Sequence, residues 1–145
     1  MYFFVKCISW SCLSLALQAF FLRAIHLDLR KSWRHIIVIT NEWHMKRTKA
    51  IFDTVFGLSS ASKSQDSYVL DFVSVDNSLP PDILAVRQKR EAESLKTFLS
   101  QTQHLWLDLA DLHSWLFTKH AAYGANRFTG EIDKEKISSE MAKTY

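Results

Sequence analysis

Two short β-branched runs, HIIVIT (His35 to Thr40) and YVLDFVSVD (Tyr68 to Asp76), flank a stretch in which apolar residues recur at helical spacing. Few arrangements satisfy that pattern. The first run is nearly continuous in apolar residues, as in a strand of a parallel sheet covered on both faces. Parallel neighbours cannot be joined by a tight turn and need a crossover, usually a helix. The segments Ile36–Thr40 and Val69–Val75 are therefore expected to be neighbouring parallel strands of a right-handed strand, helix, strand unit. Thr40 and Asn41 are the cap candidates for the crossover helix, which runs to about Phe56 with Gly57 as its stop. The polar SSASKSQDS reads as a surface loop. NSLPPD opens a second helix that continues through ILAVRQKREAESLKTFLSQ. LWLDLADLHSWLFTKHAAY reads as a third.

Composition sets the outer limits. At 145 residues, with 48% hydrophobic and 13% aromatic side chains, the chain has material for one core, and disorder throughout is excluded. One domain is expected over residues 1–123. From about Gly124 apolar periodicity is lost, so residues 124–145 read as a flexible tail. Lys and Arg number 18 against 15 Asp and Glu, a net charge of +3 with the signs interspersed, which does not fit a nucleic-acid partner. Cys7 and Cys12 fit neither a CxxC redox pair nor a zinc half-site and are read as reduced, buried and inert.

The opening MYFFVKCISWSCLSLALQAFFL carries Lys6 inside its apolar run, and Ser, Gln and Lys dilute it below a convincing membrane span. CLSLALQAFFLRAIHLDLR is instead expected to be a buried helix of an α/β domain, apolar nearly all round because several neighbours cover it. A cytoplasmic location is favoured over an N-terminal membrane anchor. The first dozen residues are either a strand or an ill-fitting start.

At about 100° per residue, the helix after HIIVIT places His44, Arg47, Thr48, Ile51 and Val55 on one side and Lys46, Lys49 and Asp53 on the other. His44 and Arg47 thus extend the core-facing stripe just beyond the carboxyl end of a buried strand. Open α/β sheets bind ligands there, and free backbone N–H groups at a helix start favour an anion. Arginine adds planar donors suited to phosphate or carboxylate, and histidine can donate a hydrogen bond or move a proton near neutral pH. Two readings of the pair stand side by side: an anion site, or a scaffold in which Arg47 pairs with a carboxylate of another element and His44 fills the rim of the core.

VITNEWHMKRTKAIF, Val38 to Phe52, resembles the motif of the SanA/YdcF-like family, known as domain of unknown function 218, in which a strand leads into a His-Met-x-Arg turn opening a helix. FFLRAIHLDLRKSW upstream, and REAESLKTF and WLFTKHAAY downstream, are more loosely similar to the longer eukaryotic members. The resemblance implies a Rossmann-like three-layer α/β fold with a parallel sheet and C-terminal helices, and a polar site at the carboxyl edge of that sheet. Carried over by position, it singles out Thr40, Asn41, His44 and Arg47 as ligand-binding residues. Members usually begin with a strand and glycine-containing loop, followed by a motif of an acidic residue, Ser or Thr, and Asn. Nothing before Leu22 is similar to either, so the chain reads as a shortened member, with its sheet incomplete at the N-terminus.

The remaining constellations are weaker. Ile83, Arg87, Glu91, Ser94 and Phe98 share a helix face, and Arg87 with Glu91 makes a candidate i,i+4 ion pair. Trp106, Leu109, His113, Leu116, Phe117 and His120 share another, but two histidines two turns apart lack a zinc spacing, so no metal is expected. No serine stands in a nucleophile elbow and no Gly-rich phosphate loop is present, so neither a hydrolase triad nor any particular cofactor is indicated. Two hypotheses follow: a protein holding a phosphate-bearing or nucleotide-like small ligand at His44 and Arg47, with any catalysis left open, or a truncated, non-catalytic product acting through partner association or without activity. Oligomeric state is open in both.

Overall fold

Strands form where the sequence is densest in β-branched and aromatic residues, and the first lies in the opening segment. The computed structural model describes residues 2–6, 14–27, 33–59 and 68–120. Strand β1 (Tyr2–Lys6) pairs in parallel with β2 (His35–Asn41), which pairs in parallel with β3 (Val69–Val75), in the order β1-β2-β3. The expected parallel unit is present, and the opening segment extends its sheet by one strand. Helix α1 (Ser14–Phe21), continued by a π-helical turn over Leu22–Leu27, joins β1 to β2, and α2 (Glu42–Gly57) joins β2 to β3. Helix α3 (Pro81–Thr97) follows β3. The architecture is a Rossmann-like α/β fold.

Sequential strand order with right-handed crossovers places successive connecting helices on one face of the sheet. The helices contact one another in chain order, α1 with α2 and α2 with α3. Burial in the strands agrees: Ile36, Val38 and Thr40 are buried, whereas His35, Ile37 and Ile39 between them are half-buried. Register carries the alternation into β3, where Leu70, Phe72 and Ser74 align with the buried set. On the other face Val69, Val73 and Val75 are 51%, 47% and 49% exposed. Of the two covered faces expected for the HIIVIT strand, the described residues supply one. Its continuous apolar run reflects β-branched content on a central strand as well as burial.

The core forms between that face and the helices. Leu15, Ala19, Phe20 and Leu22 from α1 and its π turn, Ile36 and Val38 from β2, and Ile51, Phe52 and Val55 from α2 are all buried. Residues Ser14–Leu27 form the expected buried helix, and among the described residues no helix is long and apolar enough to cross a membrane.

Helix α2 ends differently from its sequence expectation. Gly57 stays helical and Leu58 turns extended at φ −63° and ψ 149°, so no left-handed residue is used. Arg23, 5% exposed, reaches across from the π turn and donates Nη1 to the carbonyl of Val55 and Nη2 to that of Leu58 at 2.6 Å. A cation there satisfies orphan carbonyls and opposes the negative end of the helix dipole.

Helix α3 begins as NSLPPD predicts, with Pro80 at the N-cap and Pro81 in the first turn, but buries no residue. A π turn (Phe98–Thr102) and a 3₁₀ turn (Gln103–Leu105) follow it, and Phe98 packs on Trp106 with ring centroids 5.5 Å apart. Gln103 donates to Thr54 Oγ1 at 3.2 Å, returning the chain to α2.

Helix α4 (Leu109–Thr118) is shorter than its sequence pattern. The chain divides into two compact units, Met1–Leu112 and His113–Tyr145. Within the second, the rings of His113 and Phe117 are in contact, as are those of Trp115 and His120. The expected α4 face is only partly realised: Trp106 precedes the helix, Leu112 and Leu116 are its buried positions, His113 is exposed, and the buried His120 lies past its end. Cys7, Cys12, most of the SSASKSQDS loop and the 124–145 tail lie outside the described residues.

Candidate functional site

The first turns of α2 carry the residues singled out by sequence, and their positions follow from the helical stripe. His44, Arg47, Thr48, Ile51, Phe52 and Val55 are its buried residues, the expected set with Phe52 added. Lys49 and Asp53 on the opposite side are exposed and pair at 3.0 Å. Thr40 is 4% exposed, on the covered face of β2, while Asn41 is exposed at the N-cap and makes no side-chain cap bond.

The capping role belongs to Asn77, in the loop after β3. Its Oδ1 accepts from the Trp43 backbone N–H at 3.4 Å and its Nδ2 donates to Glu42 at 3.1 Å. One free N–H of the helix start is thereby engaged, and the Glu42 carboxylate already lies near the positive end of the dipole.

Arg47 and His44 converge on a carboxylate of α3. Arg47 grips Glu91 with both arms, Nε to Oε2 at 2.7 Å and Nη2 to Oε1 at 2.9 Å. His44 Nδ1 lies 2.7 Å from Glu91 Oε2. The histidine is 1% exposed, the arginine 3% and the glutamate 13%. Burial pushes the Glu91 carboxyl up, but the hydrogen bond from His44, the positive charge of Arg47 and the remaining contacts of the two side chains outweigh it and hold the group below its ordinary value. An ionised carboxylate only accepts, so Nδ1 carries the proton between them. The 3.3 Å approach of Arg47 Nη2 to that same nitrogen is then a close packing contact rather than a hydrogen bond.

With Nδ1 committed to Glu91, the chemistry of the imidazole resides in Nε2. That atom is buried and has no hydrogen-bond partner among the described residues. A carboxylate-anchored imidazole with its second nitrogen free is equipped to accept or donate a proton, or to bond a ligand oxygen. Arg47 has its fork filled and acts chiefly by fixing Glu91.

In the sequence Glu91 shares a face of α3 with Phe98, but with Arg87 as its candidate partner. Instead Arg87 lies over the Trp43 ring, 5.3 Å from its centroid, and Glu91 turns to α2. Nothing local in the sequence marks Asn77, because its role exists only once the loop after β3 meets the start of α2. Among the described residues no group of three His, Cys, Asp or Glu side chains could hold a metal ion.

No protein-family model, curated protein or solved structure matches this chain.

Proposed function

We propose that the chain is a SanA/YdcF-like small-ligand-binding domain, taking a phosphate-bearing or nucleotide-like molecule beyond the carboxyl end of β2. His44 meets the ligand, while Glu91 and Arg47 position its ring. One observation carries the reading: the Nε2 of a 1% exposed imidazole has no hydrogen-bond partner among the described residues, although Nδ1 of the same ring is anchored to a carboxylate. Leaving a buried polar atom unsatisfied costs about 1–3 kcal/mol, a cost offset by a ligand hydroxyl that donates to Nε2, or by an anionic ligand oxygen that accepts from the protonated ring. The location agrees, since the ring lies on the first turn after a parallel strand of a Rossmann-like sheet. Asn41, exposed at the same strand end, adds a polar group.

A second reading draws on the bidentate Arg47–Glu91 contact, in which the cluster is scaffold and only fastens α2 to α3. Isothermal titration of the full chain with inorganic phosphate and with adenosine mono-, di- and triphosphate, paired with melting temperatures, separates the two. The ligand reading expects saturable binding by at least one compound. It also expects His44→Ala to weaken that binding by about 1.5–3 kcal/mol, the value of a charge-assisted hydrogen bond. Arg47→Lys, which keeps charge but loses the fork, should retain part of the affinity. If these substitutions only lower the melting temperature and the folded fraction binds as before, or if nothing binds, the cluster is scaffold.

A further inference from the structure

The Arg47–Glu91 pair is also the polar floor of a groove along the outer seam of α2 and α3. Its volume is about 760 Å³, within the usual range for small-molecule sites. On α3 and the π turn that continues it, the groove runs along one face from Gln88 to Ser100, roughly 18 Å at the helical rise per residue, with Ala92, Leu95 and Leu99 as its apolar surface. On the α2 side it is lined by Trp43 and Lys46. His44 does not line it, although Arg47 and Glu91 belong both to its lining and to the His44 cluster.

Charge selects the occupant. Among the described residues Glu91 is the only carboxylate lining the groove, and it is neutralised by Arg47. The two remaining charges on the lining are the exposed ammonium groups of Lys46 and Lys96, and among the described residues neither has an ion-pair partner. Leu99, 43% exposed, lies in the same groove. An apolar trough with unpaired cations and no free carboxylate is complementary to an anion bearing an apolar tail.

We propose that this groove binds a small amphiphilic carboxylate, its tail along Ala92, Leu95 and Leu99 and its head group between Lys46 and Lys96. The tail removes apolar surface from water on both partners, and the lysines place the carboxylate end. An uncharged amphiphile gains only the first of these contributions.

Decanoate, kept below its micelle concentration, is titrated into the full chain by calorimetry and by quenching of tryptophan fluorescence, with decanol as the uncharged control. Saturable decanoate binding is expected, with a quench that disappears in Trp43→Phe. Both lysines are exposed, so Lys46→Gln with Lys96→Gln should fold as the parent does. Two exposed ion pairs are lost in that variant, and decanoate affinity should drop roughly five- to tenfold while decanol binding stays unchanged. Leu99→Asp should weaken both compounds. The proposal is overturned if decanoate shows no saturable binding, if the double lysine variant binds it as tightly as the parent, or if decanol binds as well as decanoate.

Discussion

Helices α2 and α3 have nearly the same length, 16 and 17 residues, and each follows a parallel strand, yet α2 buries six side chains and α3 none. Sequence periodicity alone does not separate them, for both show apolar residues at helical spacing. Position in the row does. Helix α2 lies between α1 and α3 and also touches β2 and β3, whereas the strongest contacts of α3 outside its own continuation are with α2. A helix at the end of a row keeps much of its apolar surface in water, and Ile83 at 44% and Val86 at 54% exposure show it. Such a helix is held at a few points, chiefly Glu91 and, just past its end, Phe98.

The contrast can be broken by substitution. The largest effect is expected in α2, where Phe52 is fully buried and Phe52→Ala should destabilise the chain by about 4 kcal/mol through lost transfer energy and a residual cavity. Urea denaturation checks it, and a loss below about 1 kcal/mol would mean the interior of α2 is no better packed than α3.

Next comes the point of attachment. Glu91→Ala strands a buried guanidinium and should cost about 3 kcal/mol. Its pH dependence has a defined sign. The folded-state pKa of Glu91 lies below the ordinary 4.5, so its contribution is fully present above pH 4.5 and is lost as pH falls through the lower folded value. The stability gap between parent and variant should therefore narrow below pH 4.5, and a gap constant down to pH 2 would contradict the assignment.

The smallest effect belongs to the outer face of α3. Val86→Ala removes little buried surface and installs a better helix former, so stability should change by no more than about 0.5 kcal/mol. A loss of 2 kcal/mol would reveal a partner on that face.

These differences also mark what sequence could convey. The alternation of β-branched runs with a 3.6-residue period fixes parallel pairing and the buried stripe of α2, because both are local consequences of backbone geometry. His44 and Arg47 were placed at the core-facing start of α2 for the same reason. The partner of Arg47 was legible only as a class, a carboxylate from another element, because choosing Glu91 requires the pairing of α2 with α3. Asn77 and Arg23 act over separations of more than 30 residues and leave no periodic trace. That the described residues cover chiefly one face of β2 and β3 was hidden because β-branched residues favour strands whether or not both sides are covered.

Helix ends ordinarily fray first, and their amides exchange with solvent while the middle stays closed. In α2 each end is fastened from another part of the chain, the first turn by Asn77 from beyond β3 and the last by Arg23 from the turn after α1. Opening either end in these places means detaching a different neighbour. The amides at both ends of α2 are therefore expected to exchange more slowly than those of helix ends that lack such partners.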